Sequence, residues 1–260
     1  MTLMSRIFIT GSTDGLGLMA ARLLLDQGHQ VILHARNRER ATEAHRRLPS
    51  AEAAVVGDLS SIAQTCDVAE QINRLGRVDA VIHNAGVGYR EPRRIETADG
   101  LPHVFAVNVL APYILTALIE RPKRLVYLSS GMHRGANANL EDVTWIQRRW
   151  QGAEAYAESK FHDVLLAFAV ARLWPAVLSN SLEPGWVPTK MGGPDAPDDM
   201  SQAHLTQAWL AVSNDDAALV SGQYFYHLRQ QAADPAVCDI ERQDKLLDIC
   251  SRLSGVAMAH

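Results

Sequence analysis

Cysteine is scarce. Cys66, Cys238 and Cys250 are the only three among 260 residues and show no C-x-x-C spacing, which suits neither a disulfide framework nor a thiolate zinc site. A reducing compartment, by default the cytoplasm, is the expectation. Long hydrophobic runs are missing too: the longest in the middle of the chain, 164–171, falls far below the roughly 20 residues that a membrane-spanning helix needs. No secretory leader precedes Ile7, so no membrane association is expected. Basic charge is not in excess, with 25 Lys and Arg against 29 Asp and Glu and a net charge of -4, which argues against a nucleic-acid partner. The ten histidines show no H-E-x-x-H or H-x-x-x-H pattern, so no metal site is expected. Internal repeats and low-complexity segments are absent as well, and the one linker-like stretch, 188–199, is too short to separate two domains. One domain, 1–260, is expected.

What the chain does have is 47% hydrophobic residues, enough for one large core, arranged as alternating strand-like and helix-like stretches. Strand signals fall at 7–9, 30–34, 53–56, 78–83, 124–128, 177–181 and 223–226. Helix signals fall at 16–27, 39–48, 62–75, 101–118, 153–174 and 201–212, with Pro175 stopping the fifth. Strands separated by helices imply parallel pairing with right-handed crossovers. The predicted fold is therefore α/β: a doubly wound parallel sheet of about seven strands flanked by helices. In such a sheet ligands bind beyond the carboxyl ends of the strands.

The first of those ends reads Thr10-Gly11-Ser12-Thr13-Asp14-Gly15-Leu16-Gly17. Glycines at 11, 15 and 17 permit positive φ and close approach, and the helix that follows offers unpaired N–H groups to a pyrophosphate. Close packing of a strand on a helix is the alternative reading of the same glycines. After the second strand Arg36 stands where a dinucleotide fold places an acidic residue for the ribose hydroxyls, and its fork suits a 2′-phosphate, favouring NADP(H) with NAD(H) as second choice. Arg36 could equally solvate a helix start. Asp58-Leu59 offers a carboxylate for an adenine amino group or a helix cap, and Asn84-Ala85-Gly86 is either a close-approach site or a plain turn.

Tyr156 and Lys160 are four apart on a predicted helix and share one face. An ammonium beside the phenol, together with a positively charged nicotinamide, could bring the tyrosine from about 10 toward about 7, making it a general acid toward a carbonyl or a base toward an alcohol. Ser129 and Ser130 follow the strand ending at Leu128, Pro184-Gly185 follows the next strand, and Asn108 sits inside a helix that it does not favour.

Taken together, Thr10-Gly11-x-x-x-Gly15-x-Gly17, Asp58-Leu59, Asn84-Ala85-Gly86, Asn108-Val109, Ser130, Tyr156-x-x-x-Lys160 and Pro184-Gly185-x-Val187-x-Thr189 resemble the short-chain dehydrogenase/reductase family. Asp99-Gly100-Leu101, Val107 to Leu110 and Ser129 to Gly135 resemble its retinol-dehydrogenase-like branch. The resemblance implies a Rossmann fold, Tyr156 as acid/base, Ser130 as the second donor to the substrate oxygen, and Lys160 on the nicotinamide ribose. It further implies Asn108 interrupting its helix to support a proton relay, and Pro184, Gly185, Val187 and Thr189 beside the nicotinamide. A small-molecule alcohol, ketone or aldehyde is the implied substrate, and a homodimer or homotetramer through the helices at 101–118 and 155–173 is the implied assembly.

Two departures stand out. Tyr156 lies 26 positions after Ser130, more than in many members, and the extra segment 137–152, with Trp145 and Trp150, is expected to wall one side of an apolar pocket. No basic residue occurs among Ser12, Thr13 and Asp14, so Arg36 is expected to hold a phosphate alone or with Ser12 and Asn37. The other class of function compatible with the motifs is a catalytically silent NADP-binding sensor or scaffold. The cluster Arg90, Arg93 and Arg94 reads as a solvated loop.

Overall fold

The structure is a computed structural model that describes residues 4–259. Its centre is an eight-stranded sheet in the order β3-β2-β1-β4-β5-β6-β7-β8. The strands are β1 (Arg6–Ile9), β2 (Gln30–Ala35), β3 (Ala53–Val56), β4 (Ala80–His83), β5 (Arg124–Leu128), β6 (Leu178–Glu183), β7 (Tyr224–Tyr226) and β8 (Arg229–Gln231). The first seven are parallel, with Ile7 beside Val31 and Ala80, while β8 pairs antiparallel with β7. The chain reverses direction of winding between β1 and β4. That switch opens a crevice at the carboxyl ends of both strands.

Seven parallel strands match the sequence expectation. The eighth does not, because its hairpin turn is His227-Leu228, both at positive φ of 46° and 64°, where Asn or Gly would have signalled a two-residue turn.

Helices α1 (Gly15–Asp26), α2 (Arg38–Arg47), α3 (Ile62–Leu75) and α6 (Gly152–Leu173) match the predicted stretches to within one residue at each end, and α7 (Leu205–Val212) falls inside its own. The predicted helix 101–118 is split into α4 (His103–Phe105), a π-helical turn over Ala106–Leu110 and α5 (Ala111–Leu118). Asn108 sits in that π turn, and such turns are common at functional sites. A further helix, α8 (Ile240–Ser254), lay outside the predicted elements. Asp239 caps its start by accepting from the Glu241 and Arg242 amides, and Gly255 ends it at φ 72°.

Helix α8 lies against α6 and α5. The Tyr113 hydroxyl donates to the Val256 carbonyl and the Trp174 indole to that of Ala259. Helix α6 is thereby buried nearly all round, from Tyr156 and Glu158 to Val170, with the sheet on one side and the C-terminal segment on another. The α6 surface expected to meet a second copy is thus largely covered by the chain itself.

Candidate active site

The glycine turn is held from below. Thr10 Oγ1 accepts from the Asn84 and Ala85 amides, and Asn84 Nδ2 donates to the Thr10 and Gly11 carbonyls. At Gly11, with φ 62°, a Cβ would stand 2.9 Å from Ala85 Cα; at Gly17 it would stand 2.4 Å from Asn84 Nδ2. The ends of β1 and β4 therefore approach as closely as they do because both residues lack a side chain.

His34, which sequence reading assigned no role, completes the turn. Its Nδ1 accepts from the Gly11 amide at 3.0 Å, so its Nε2–H donates to the Gly57 carbonyl at 2.9 Å. Burial brings this ring down to about 4.

The turn opens into a cleft of about 980 Å³. Its walls include Gly11, Thr13, Asp14, Gly15, Leu16, Arg36, Asp58, Leu59, Asn84, Ala85, Gly86, Ser130, Tyr156, Lys160, Pro184, Gly185, Val187 and Thr189. Three expected residues do not line it. Ser12 is fully buried, donating to the Ile9 carbonyl and accepting from the His34 amide. Gly17 lies beneath Asn84, and Asn108 lies behind Gly86. Asn37, expected to help Arg36, instead accepts from the Arg40 amide as the cap of α2. Ser12 can then offer no side chain to a phosphate, and Asn37 keeps only its Nδ2 donor free. A second guanidinium, that of Arg40 on α2, joins Arg36 in the cleft wall. The Arg40 guanidinium donates to Thr13 Oγ1 and to Asp14 Oδ2, both at 2.8 Å, and Lys190 meets the same Asp14 oxygen at 2.7 Å. Burial pushes the Asp14 carboxyl up, but Lys190 and Arg40 together hold it below the usual range. Asp58 Oδ1 accepts from the Ser60 amide, while Ser61 caps α3, so Asp58 is not needed as the helix cap.

At the other end β5 delivers two serines with different fates. Ser129 donates to the Lys160 carbonyl at 2.7 Å and is buried; Ser130 caps the short turn Gly131–His133 and faces the cleft. Tyr156 is 6% exposed, its ring edge-on to Tyr89 at 5.7 Å and the Lys160 ammonium 5.8 Å from its ring centre. Lys160 Nζ donates to the Leu128 carbonyl at 2.8 Å and to Asp163 Oδ2 at 2.7 Å. The lowering of the Tyr156 pKa expected from Lys160 and a positively charged nicotinamide together is not reached by Lys160 alone. Burial raises the phenol above its ordinary value, outweighing Lys160 and Ser130, and Asp163 and Tyr89 add to the rise.

Asn108 is tied on both sides of its carboxamide. Oδ1 accepts from the Val87 amide at 2.8 Å, and Nδ2 donates to the Val87 carbonyl and to Ser159 Oγ. It therefore locks the loop after β4 onto α6, one residue before Lys160.

The segment 137–152 contributes no residue to the cleft, so it does not form the pocket wall expected of it. Leu140, Val143 and Trp145 are buried, and Arg148 grips Glu158 through two bonds of 2.6 Å while lying over Trp145. The Trp150 indole donates to the Glu91 carbonyl, so the segment props the 86–91 loop from outside. Arg90 and Arg94 act similarly, donating to the Gly192 and Thr144 carbonyls. The apolar wall is made instead by Tyr89, Val107, Met132, Trp186, Met191 and Met200. Apolar residues scattered over three connections and one π turn carry no spacing signal, which is why they escape sequence reading.

A nucleotide-sized cleft at a sheet switch point, with a serine, a tyrosine and a lysine on one wall, defines an oxidoreductase of the dinucleotide-binding kind. The family model for short chain dehydrogenase matches residues 5–199, and the chain belongs to that family. An uncharacterised oxidoreductase of Emericella nidulans is 47% identical, over 98% of this chain and 99% of that one. Mouse retinol dehydrogenase 13 is 30% identical, over 98% and 85% respectively, in keeping with the retinol-dehydrogenase-like branch. Among solved structures, a blue fluorescent protein from a metagenomic library in complex with NADPH superposes with a TM-score of 0.71 at 22% identity, covering 92% of this chain and all of that one, which shows the shared fold. Among the described residues no helix is long and apolar enough to cross a membrane.

Proposed function

We propose that the protein moves a hydride between NADP(H) and the carbonyl or alcohol carbon of a fairly apolar small molecule, with Tyr156 as acid/base. The observation that carries this reading is the convergence of Tyr156, Ser130 and Lys160 on one wall of the cleft that begins at the glycine turn.

The residues fit the cofactor. The amides and missing side chains of Gly11 to Leu16 make a cradle for a pyrophosphate, Asp58 and Leu59 suit the adenine, and Asn84 to Gly86 allow backbone approach. Lys160 would hold the nicotinamide ribose, with Val187 and Thr189 near the carboxamide. NADP rather than NAD is supported by Arg36, Arg40 and Lys190, three cations gathered at the adenosine end. When bound, the cofactor supplies or takes up the hydride. Tyr156 gives its proton to the substrate oxygen in reduction and takes it back in oxidation, and Ser130 donates a second hydrogen bond to that oxygen as charge develops on it. Asn108 and Lys160 fix the wall that carries these groups.

The acidic groups of the cleft's substrate half, Glu183 and Asp198, and its apolar wall favour neutral ketones, aldehydes and alcohols over carboxylates. With α8 covering the outer face of α6, a monomer is the catalytic unit, which light scattering checks.

Replacing Tyr156 with Phe should lower kcat by about 10³-fold and leave NADPH binding, read by fluorescence titration, unchanged. Turnover at the parent rate would remove Tyr156 from the chemistry; a parent protein that binds NADPH but reduces no ketone or aldehyde would instead favour a silent nucleotide-binding protein.

A further inference from the structure

Lys160 and Asp163 form a buried ion pair directly behind the phenol. Their side chains are 6% and 3% exposed, and Nζ meets Oδ2 at 2.7 Å. An ammonium has three protons to give. Two are engaged, by Asp163 and by the Leu128 carbonyl, and the ammonium sits 3.6 Å from where a Cβ on Gly86 would stand, at the cleft wall. A lysine that had only to loosen a neighbouring proton would do so best as an uncompensated cation. Here a carboxylate one helical turn away cancels the charge, in a setting where solvent screens little.

We propose that Asp163 is a positioning residue for the acid/base pair: it clamps Lys160 and offsets its charge, so that Tyr156 stays a protonated phenol and the site is set to give a proton to a carbonyl. The proposal rests on the acid/base reading of Tyr156 and adds a direction to it. A protonated phenol is the form that reduction needs, and a phenolate the form that oxidation needs.

The surroundings leave Asp163 as the charge that matters. Tyr127 on β5, Ser129 just after it, His83 on β4, Tyr89 from the loop after β4, Asn108 from the π turn, His162 on α6 itself and Glu183 across the cleft, which is paired with Arg134, are the polar and titratable groups around the pair. Burial brings His83 and His162 down to about 3 and pushes Tyr127 above its ordinary range, so all three are neutral at working pH. Burial lifts the Asp163 carboxyl above its ordinary range against the pull of Lys160, and the 2.7 Å contact from the ammonium is the interaction that holds it as a carboxylate. Lys160 is held above its ordinary value because Asp163 and Tyr156 outweigh its desolvation.

Asp163→Asn keeps the size and one hydrogen-bonding oxygen while removing the charge. In nucleotide-free protein, the phenolate absorbance titration, taken as the difference from the matching Tyr156→Phe protein, reads Tyr156 alone. It should fall by about one pH unit in Asp163→Asn. The pH profile of kcat/KM for carbonyl reduction should fall off about one unit earlier, a loss of about tenfold at pH values above it, while the melting temperature and NADPH affinity change little. No shift, or a shift to higher pH, would overturn the proposal. Should that variant fail to fold, Asp163→Ser, which also removes the charge and keeps a hydroxyl near Lys160, is read in the same way: the Tyr156 titration should again fall by about one pH unit, and an unchanged or higher value overturns the inference. Retained turnover in Tyr156→Phe would sink the acid/base reading instead, while the phenolate titration still reports whether Asp163 acts on Tyr156.

Discussion

The two ends of the cleft are shaped by different means. At the glycine turn, backbone sets the form: Gly11 and Gly17 let β1 and β4 meet, Thr10 and Asn84 tie the meeting point, and His34 fastens the Gly11 amide. At the substrate end, bulk sets it, through Tyr89, Met132, Trp186, Met191 and Met200 carried on loops. Backbone approach tolerates only certain residue types at certain positions, whereas an apolar wall needs only volume. The first end should therefore fail abruptly on substitution and the second gradually.

The sharpest break is expected from Gly17→Val. Its Cβ alone would lie 2.4 Å from Asn84 Nδ2 and 2.6 Å from the Gly11 carbonyl, and overpacking of this kind costs on the order of 3 kcal/mol. Nucleotide binding should be lost and the melting temperature should drop by many degrees; a variant that melts and binds like the parent would show that the close approach is not needed.

Acid should strike the same end. Burial brings His34 down to about 4 from an ordinary 6.5, so the unfolded chain takes up this proton first. Its contribution to stability is full above about 6.5 and is lost as pH falls toward 4, on the order of 3 kcal/mol. His34→Gln should flatten the acid side of a plot of melting temperature against pH, and an unchanged slope would acquit His34.

A smaller effect, confined to one cofactor, belongs to Arg40. Arg40→Ala should weaken NADPH about tenfold, through one lost charge-assisted contact, and leave NADH unchanged. Equal losses for both would mean that Arg40 only braces Thr13 and Asp14.

The mildest change is expected across the cleft. Trp186 is 54% exposed, and Trp186→Ala should raise KM for apolar ketones severalfold, about 1 kcal/mol, with kcat and melting temperature held.

The same contrast explains what the sequence made legible. The seven parallel strands, the glycine turn and the Tyr156–Lys160 pair were readable because each depends on a fixed spacing or period. The β7–β8 hairpin was not, since His227 and Leu228 adopt positive φ without the residues that usually announce it. Arg40 was not singled out, because what brings it to the cleft is its contact with Thr13 and Asp14 from another element. The 137–152 segment was misread as a wall: its tryptophans suggested an apolar pocket, but Arg148 and Glu158 anchor it to the outside of α6. Asp163 carried no signal at all, for an acid three residues after a lysine is ordinary on any helix surface.

One contact joins the two ends. Lys190, from the loop after β6, meets Asp14 in the glycine turn across 176 positions of sequence, and its side chain is 86% exposed. So exposed a pair adds little to the strength of the fold and yields readily to dissolved ions. Lying across the mouth of the cleft, it predicts that raising ionic strength should quicken the departure of a bound nucleotide more than it weakens the protein itself.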